Sequence, residues 1–185
     1  MGLVPNPLLL GLVDALRPAG FTRKRPSSWF RSTPDLVQVV NLQKSQWGDQ
    51  YYVNFAVWLE ALGHAELPPQ AQCHVRLRAD DIVSSKARLR RVLDLDVQVA
   101  DRRAAFARVI ADELLPFADE ARTLAGLRRL ARVERLKNAL VLVRARALLS
   151  AGARPRGARA DPRAARGDLP RPRGRPGAAP GARAR

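Results

Sequence analysis

Five side chains able to grip a polar ligand stand close together in VNLQKSQWGDQYYVNFAVWLE, residues 40–60: Asn41, Gln43, Tyr52, Asn54 and Trp58. Carboxamides offer donors and acceptors together, a phenol offers one of each, and an indole adds a flat apolar surface with an N–H at its edge. Such a set suits a polar planar ligand or a peptide, held by hydrogen bonds and stacking. The segment CHVRLRA supplies His74, Arg76 and Arg78 at alternate positions, and Lys44 and Trp47 lie in or beside the turn SQWGDQ, where they would form a rim. The same residues also suit a plainer role, because antiparallel sheets commonly leave one face to solvent and use cross-strand amide and aromatic pairs for stability alone.

Leu36–Ser45 and Tyr51–Glu60 read as the two strands of a hairpin, and parity sets their register. Pairing Leu42 with Val53 and Val40 with Phe55 gathers apolar residues on one face, with Val57 continuing the row; that face is the core side. The same register places Gln43 opposite Tyr52 and Asn41 opposite Asn54 on the other face, with Trp58 farther along. A slip of one residue scatters both groups.

Asn6-Pro7 opens a helix whose stripe is Leu8, Leu12 and Leu16, ending near Pro18. Trp29–Ser32 reads as a short strand, the RKR run at 23–25 as a solvated loop, and CHVRLRA as a half-buried strand. A short helix is expected over Ser85–Arg91, with Asp80 and Asp81 at its capping positions. The alternation in VLDLDVQV, 92–99, predicts a further strand. From Asp101 the period becomes 3.6, with Phe106, Val109, Ile110, Leu114 and Phe117 on one stripe that Pro116 should bend or end. A last helix is expected from Thr123 to Ser150, apolar on two sides and carrying a cationic strip of Arg128, Arg132, Arg135 and Arg146. The fold class expected from these elements is α+β, an antiparallel sheet of four to five strands with helices packed on one face, over residues 1–150.

Residues 151–185 contain ten Ala, ten Arg, six Pro and six Gly, with Leu169 the sole large apolar side chain. That composition cannot bury enough surface to offset the entropy of ordering, so a disordered basic tail is expected. It carries half of the net charge of +16, leaving the first 150 residues only moderately basic. Cys73 is the single cysteine, no secretory signal pattern opens the chain, and no apolar run approaches the ~18 residues of a membrane span. A cytoplasmic protein without membrane contact is expected.

The succession LRPAGFTRKR, WFR, VVNLQKSQWGDQYYVNFAVWL, CHVRLR and a helix bearing ELLPF resembles a bacterial family known only as a domain of unknown function. The marks of the resemblance are Gly20-Phe21 after the first helix, Asn-Leu-Gln-Lys-Ser at 41–45 and Tyr-Val-Asn at 52–54. It covers roughly residues 8–120 and implies a compact α+β domain with helices over one face of an antiparallel sheet. It brings no activity, cofactor or catalytic residue. LRRVLDLD departs from the pattern, which is usually richer in tryptophan there, and the final helix and tail stand outside it.

Enzyme signatures are missing from the sequence. It has no Gly-rich phosphate loop, nucleophile elbow or zinc-binding spacing, and His64 and His74 share nothing with Cys73 beyond adjacency. Three readings follow. The first is a non-enzymatic binding module using the exposed sheet face to take a protein or small polar ligand, in an immunity-like or accessory role. The second is a non-specific nucleic-acid binder, with Arg128, Arg132 and Arg135 of the last helix and Arg171, Arg173 and Arg175 of the tail on phosphates. The third is a small enzyme without a recognisable motif. No cofactor or metal is called for, and oligomeric state is open.

Overall fold

In the computed structural model, which describes residues 6–151, six antiparallel strands form one meander whose spatial order follows the chain. The strands are β1 (Thr22–Arg25), β2 (Ser28–Ser32), β3 (Leu36–Lys44), β4 (Tyr51–Leu59), β5 (Val75–Arg78) and β6 (Leu140–Val141). The helices are α1 (Pro7–Leu16), α2 (Lys86–Leu93), α3 (Arg102–Val109), α4 (Leu115–Glu120), α5 (Leu124–Arg132) and α6 (Val143–Ser150). The expected tail lies outside the described residues from position 152 on.

The hairpin register is the one parity demands. Val40 faces Phe55, Leu42 faces Val53, Asn41 faces Asn54 and Gln43 faces Tyr52. The apolar row of β3 and β4, extended by Trp29, Val75 and Leu77, packs beneath Leu8, Leu12 and Leu16 of α1 and Phe106, Val109, Ile110, Leu114 and Phe117 of the later helices. Phe55 and Phe117 meet edge to face at 5.6 Å between ring centres. Asn6 starts α1 by accepting from the Leu8 N–H at 2.8 Å, with Pro7 in the first turn, where a missing N–H costs nothing.

Several local expectations are corrected. The sheet has six strands because Thr22–Arg25, expected as a loop, pairs with β2, and Leu140–Val141 pairs with β5. Side-chain periodicity could not reveal β1, because all four of its residues are exposed and none alternates into the core. The strand expected at 92–99 does not form. Leu89, Val92 and Leu93 are buried at helical spacing in α2, and the Arg102 guanidinium donates to the carbonyls of Val92 and Asp94 at 2.6 Å, closing the chain into a turn.

Ser85, not Asp80 or Asp81, caps α2. Asp81 instead accepts from Asn138 at 3.1 Å and lies 3.4 Å from the Lys86 ammonium. α3 runs through a wide turn at Ile110–Leu114 into α4, which places Pro116 in a first helical turn and so spares the helix a break. The single helix expected from Thr123 to Ser150 is two. After α5 the chain reverses through Glu134, at φ 59°, lays down β6 and then forms α6. The folding back buries Leu136 of the second apolar strip and leaves Leu140 and Val143 exposed, and Arg128 Nε donates to the Leu148 carbonyl at 3.0 Å to tie α5 to α6.

Candidate functional site

The sheet face turned away from the main core is built of transverse rows. Ser28, Asn41, Asn54 and Arg78 are successive partners across β2, β3, β4 and β5, which makes one polar row four strands wide. The neighbouring row is Phe30, Val39, Ala56, Arg76 and Leu140. Gln43 and Tyr52 lie on the other side of the polar row, toward the hairpin turn.

Residues 60–74 fold back over half of this face. Trp58 Nε1 donates to the Gly63 carbonyl at 2.6 Å, Arg25 donates to the Leu67 carbonyl at 2.7 Å, and Arg76 Nη1 donates to the Ala71 carbonyl at 2.7 Å. Under the loop, Phe30, Val37, Val39, Ala56 and Cys73 form a second small core against Trp58 and Leu67. The expectation of an exposed face therefore holds for part of it only. His74 is 2% exposed and Asn54 5%, because the loop and the cross-strand amides cover them.

The covered histidine is engaged through Nδ1. Its Nδ1 accepts from the Leu59 N–H at 2.9 Å, and its ring lies 4.1 Å from that of Trp58. Burial, and after it the nearby charge of Arg144, holds its pKa below the ordinary 6.5. Protonation at Nδ1 also breaks the bond to Leu59. The unfolded chain takes up this proton near pH 6.5 while the folded one does not, so stability is present at higher pH and is lost as pH falls below about 6.5, at no more than about 1.4 kcal/mol per pH unit. Urea midpoints from pH 7.5 to 5.5 should show that loss in the wild type and a smaller one in His74→Gln; equal slopes would remove His74 as its source.

The open half keeps the amides and cations together. Asn41 Nδ2 donates to Ser28 Oγ at 3.0 Å and to the Ser27 carbonyl at 3.1 Å, and Asn54 Nδ2 donates to Gln43 Oε1 at 3.0 Å. The Arg78 guanidinium lies 4.1 Å from the centre of the Tyr52 ring, a stacking that holds the fork while leaving its edges free. Beside it a cleft of about 240 Å³ is lined by Asn54, Gln70, Arg76, Arg78, Asp81 and Asn138, with Leu77 and Leu140 as its apolar part. Gln70, Asp81 and Asn138 carry no sequence signal for this site, since they reach it from three separate connections.

The rim residues stand apart from the cleft. Lys44 pairs with Asp49 at 2.9 Å across the hairpin turn, and Trp47 is 94% exposed. Of the cationic strip, Arg128 is tied to α6, Arg135 lies 5.3 Å from the Phe117 ring, and Arg132 is exposed. Arg171, Arg173 and Arg175 lie outside the described residues. Among the described residues there is no group of three or more His, Cys, Asp or Glu that could hold a metal ion, and no helix long and apolar enough to cross a membrane.

A polar cluster that the sequence reading missed lies on the helix-covered face. Arg31, 7% exposed, donates from Nε to Gln38 Oε1 at 2.8 Å and from Nη1 to Asp119 at 2.8 Å and to the Ala19 carbonyl at 2.9 Å. Gln38 in turn donates to the Ala118 carbonyl at 2.6 Å. The available signal was parity, since both residues fall in phase with the core positions of their strands, where a polar side chain must have a buried partner.

No curated protein and no solved structure matches this chain. One family model, described as a domain of unknown function (DUF4304), matches residues 12–120, a span that takes in the second half of α1, β1 to β5 and the helices through α4 and leaves out α5, β6 and α6. The marks of the hairpin and of Gly20-Phe21 fall inside that span, and the chain belongs to the DUF4304 family.

Proposed function

We propose that this domain acts by binding, taking a protein segment or a small polar ligand on the open half of its second sheet face. The observation that carries the reading is the exposed Gln43 and Arg78, with Arg78 over Tyr52, set beside the buried or half-buried polar row of Ser28, Asn41 and Asn54 that supports them and bordered by a cleft with two guanidinium groups. A rigid sheet holds such groups at fixed spacing, which lowers the cost of ordering them around a ligand. Binding is favoured over catalysis because the histidine and cysteine beside this face are withdrawn, while the exposed His64, paired with Glu60 at 3.0 Å, is not among the residues lining the cleft. His74 is covered and its Nδ1 is engaged, while burial pushes the Cys73 thiol up to about 12.

The test is affinity capture by the full chain at physiological salt. Tyr52→Ala and Gln43→Ala, which alter the open half, should each lower recovery of the captured partner about tenfold, the effect of losing a well-placed contact. Arg132→Ala, on α5 and outside the lining of the cleft, should leave recovery unchanged. A partner retained by both sheet variants, with circular dichroism showing them folded, would overturn the reading.

A further inference from the structure

We infer that the cleft beside β5 is a binding site for a small carboxylate, with Arg76 and Arg78 as its anion-binding pair; this rests on the proposed use of the second sheet face. The two arginines are alternate residues of one strand, so their side chains leave the same face about 7 Å apart. Neither forms an ion pair among the described residues. Arg78 is held by its stacking on Tyr52, and Arg76 by the bond from Nη1 to Ala71. Arg76 Nε is buried with no partner among the described residues, leaving the guanidinium short of acceptors in a fold that satisfies most of its other buried polar groups.

The charges in the cleft select among anions. Two guanidinium groups face one carboxylate, Asp81, which is itself engaged by Asn138 and Lys86. With Lys86 offsetting Asp81, two positive charges remain on guanidinium groups about 7 Å apart, a spacing that suits the separated carboxylates of a short diacid better than the single centre of a phosphate. The amides of Asn54, Gln70 and Asn138 supply neutral donors and acceptors for the rest of a polar ligand, and Leu140, 49% exposed, offers an apolar wall. At about 240 Å³ the cleft admits a molecule of a few carbons, the size of a small free acid.

The experiment follows backbone amide signals of the full chain by NMR during titration with glutarate, its neutral isostere glutaramide, inorganic phosphate, and a glutamate-containing hexapeptide. Glutarate should give saturable shifts at Asn54, Arg78 and Asn138, and glutaramide should give none. Arg76→Gln and Arg78→Gln should each weaken glutarate about tenfold, the usual effect of losing one charge-assisted fork, while Arg132→Gln leaves it unchanged. Arg78 is exposed, so its variant keeps the test open if Arg76→Gln does not fold. Equal shifts with glutaramide, tighter binding of phosphate, or saturation by the peptide alone would each overturn the assignment. So would glutarate binding indifferent to both arginines. If glutarate fails while the captured partner still depends on Tyr52 and Gln43, the carboxylate site falls and the binding face stands.

Discussion

Phe55→Asp is expected to leave the domain unfolded at room temperature, while Asn54→Ala one residue away leaves it folded. Phe55 is fully buried in the main core with its ring against Phe117. An aspartate there forfeits the ring's packing and places a carboxylate where no cation waits, a loss of about 5 kcal/mol or more, comparable with the whole stability of a small domain. Asn54 is also buried, yet its removal gives up one good hydrogen bond to Gln43 and a longer one to Asn41, with Gln43 left at an exposed position. That costs about 1 kcal/mol. Urea unfolding of the two variants measures the contrast. If Asn54→Ala proves as damaging as Phe55→Asp, the second face is part of the structural core and cannot serve as a binding surface.

Arg31→Ala is expected to cost about 2–3 kcal/mol, more than a surface arginine can, because it strands partners that the fold has already desolvated. Asp119 is half exposed and can turn to water, so the ion pair itself contributes little. The larger losses are at Gln38, whose Oε1 would have no donor, at the Ala19 carbonyl, and in the packing of the guanidinium 4.4 Å from the Phe21 ring. Burial already pushes the Arg31 pKa down, so its charge is held at some cost in this site. The double variant Arg31→Met, Gln38→Leu should therefore recover part of the loss, since it removes the polar pair together and fills the space. A double variant less stable than Arg31→Ala would show that the network contributes more than its desolvation costs. Both variants can be read from thermal and urea midpoints.

Neither family membership nor fold class required tertiary information to anticipate. The resemblance carried by Gly20-Phe21 and the Asn-Leu-Gln-Lys-Ser hairpin points to the family that the match over residues 12–120 shows, and the alternation of Val40, Leu42, Val53, Phe55 and Val57 sets both register and core face. These are local signals: a period of two allows one pairing that collects the apolar side chains, and every other pairing exposes them. The parity that buried Phe55 also placed Asn41, Gln43, Tyr52 and Asn54 together, so the polar half of the candidate site was legible from the sequence.

The tertiary structure decided what covers that face and what completes the cleft. Nothing local in residues 60–74 says that they turn back over the sheet. They do so because Phe30, Val37, Val39 and Ala56 leave an apolar surface that β3 and β4 cannot bury by themselves, and that coverage withdraws His74 and half of the expected surface. Residues 92–99 alternate as a strand does, yet Leu93 completes a buried helical stripe and Arg102 binds the carbonyls that a strand would have paired. The break between α5 and α6 is of the same kind. Turning at Glu134 lets Leu136 enter the core and brings Asn138 and Leu140 to the mouth of the cleft, while Val133 and Val143 stay exposed. Periodicity reports which side chains must leave water; which neighbour covers them depends on contacts between segments distant in the chain, and those contacts join Arg76 and Arg78 to Asp81 and Asn138.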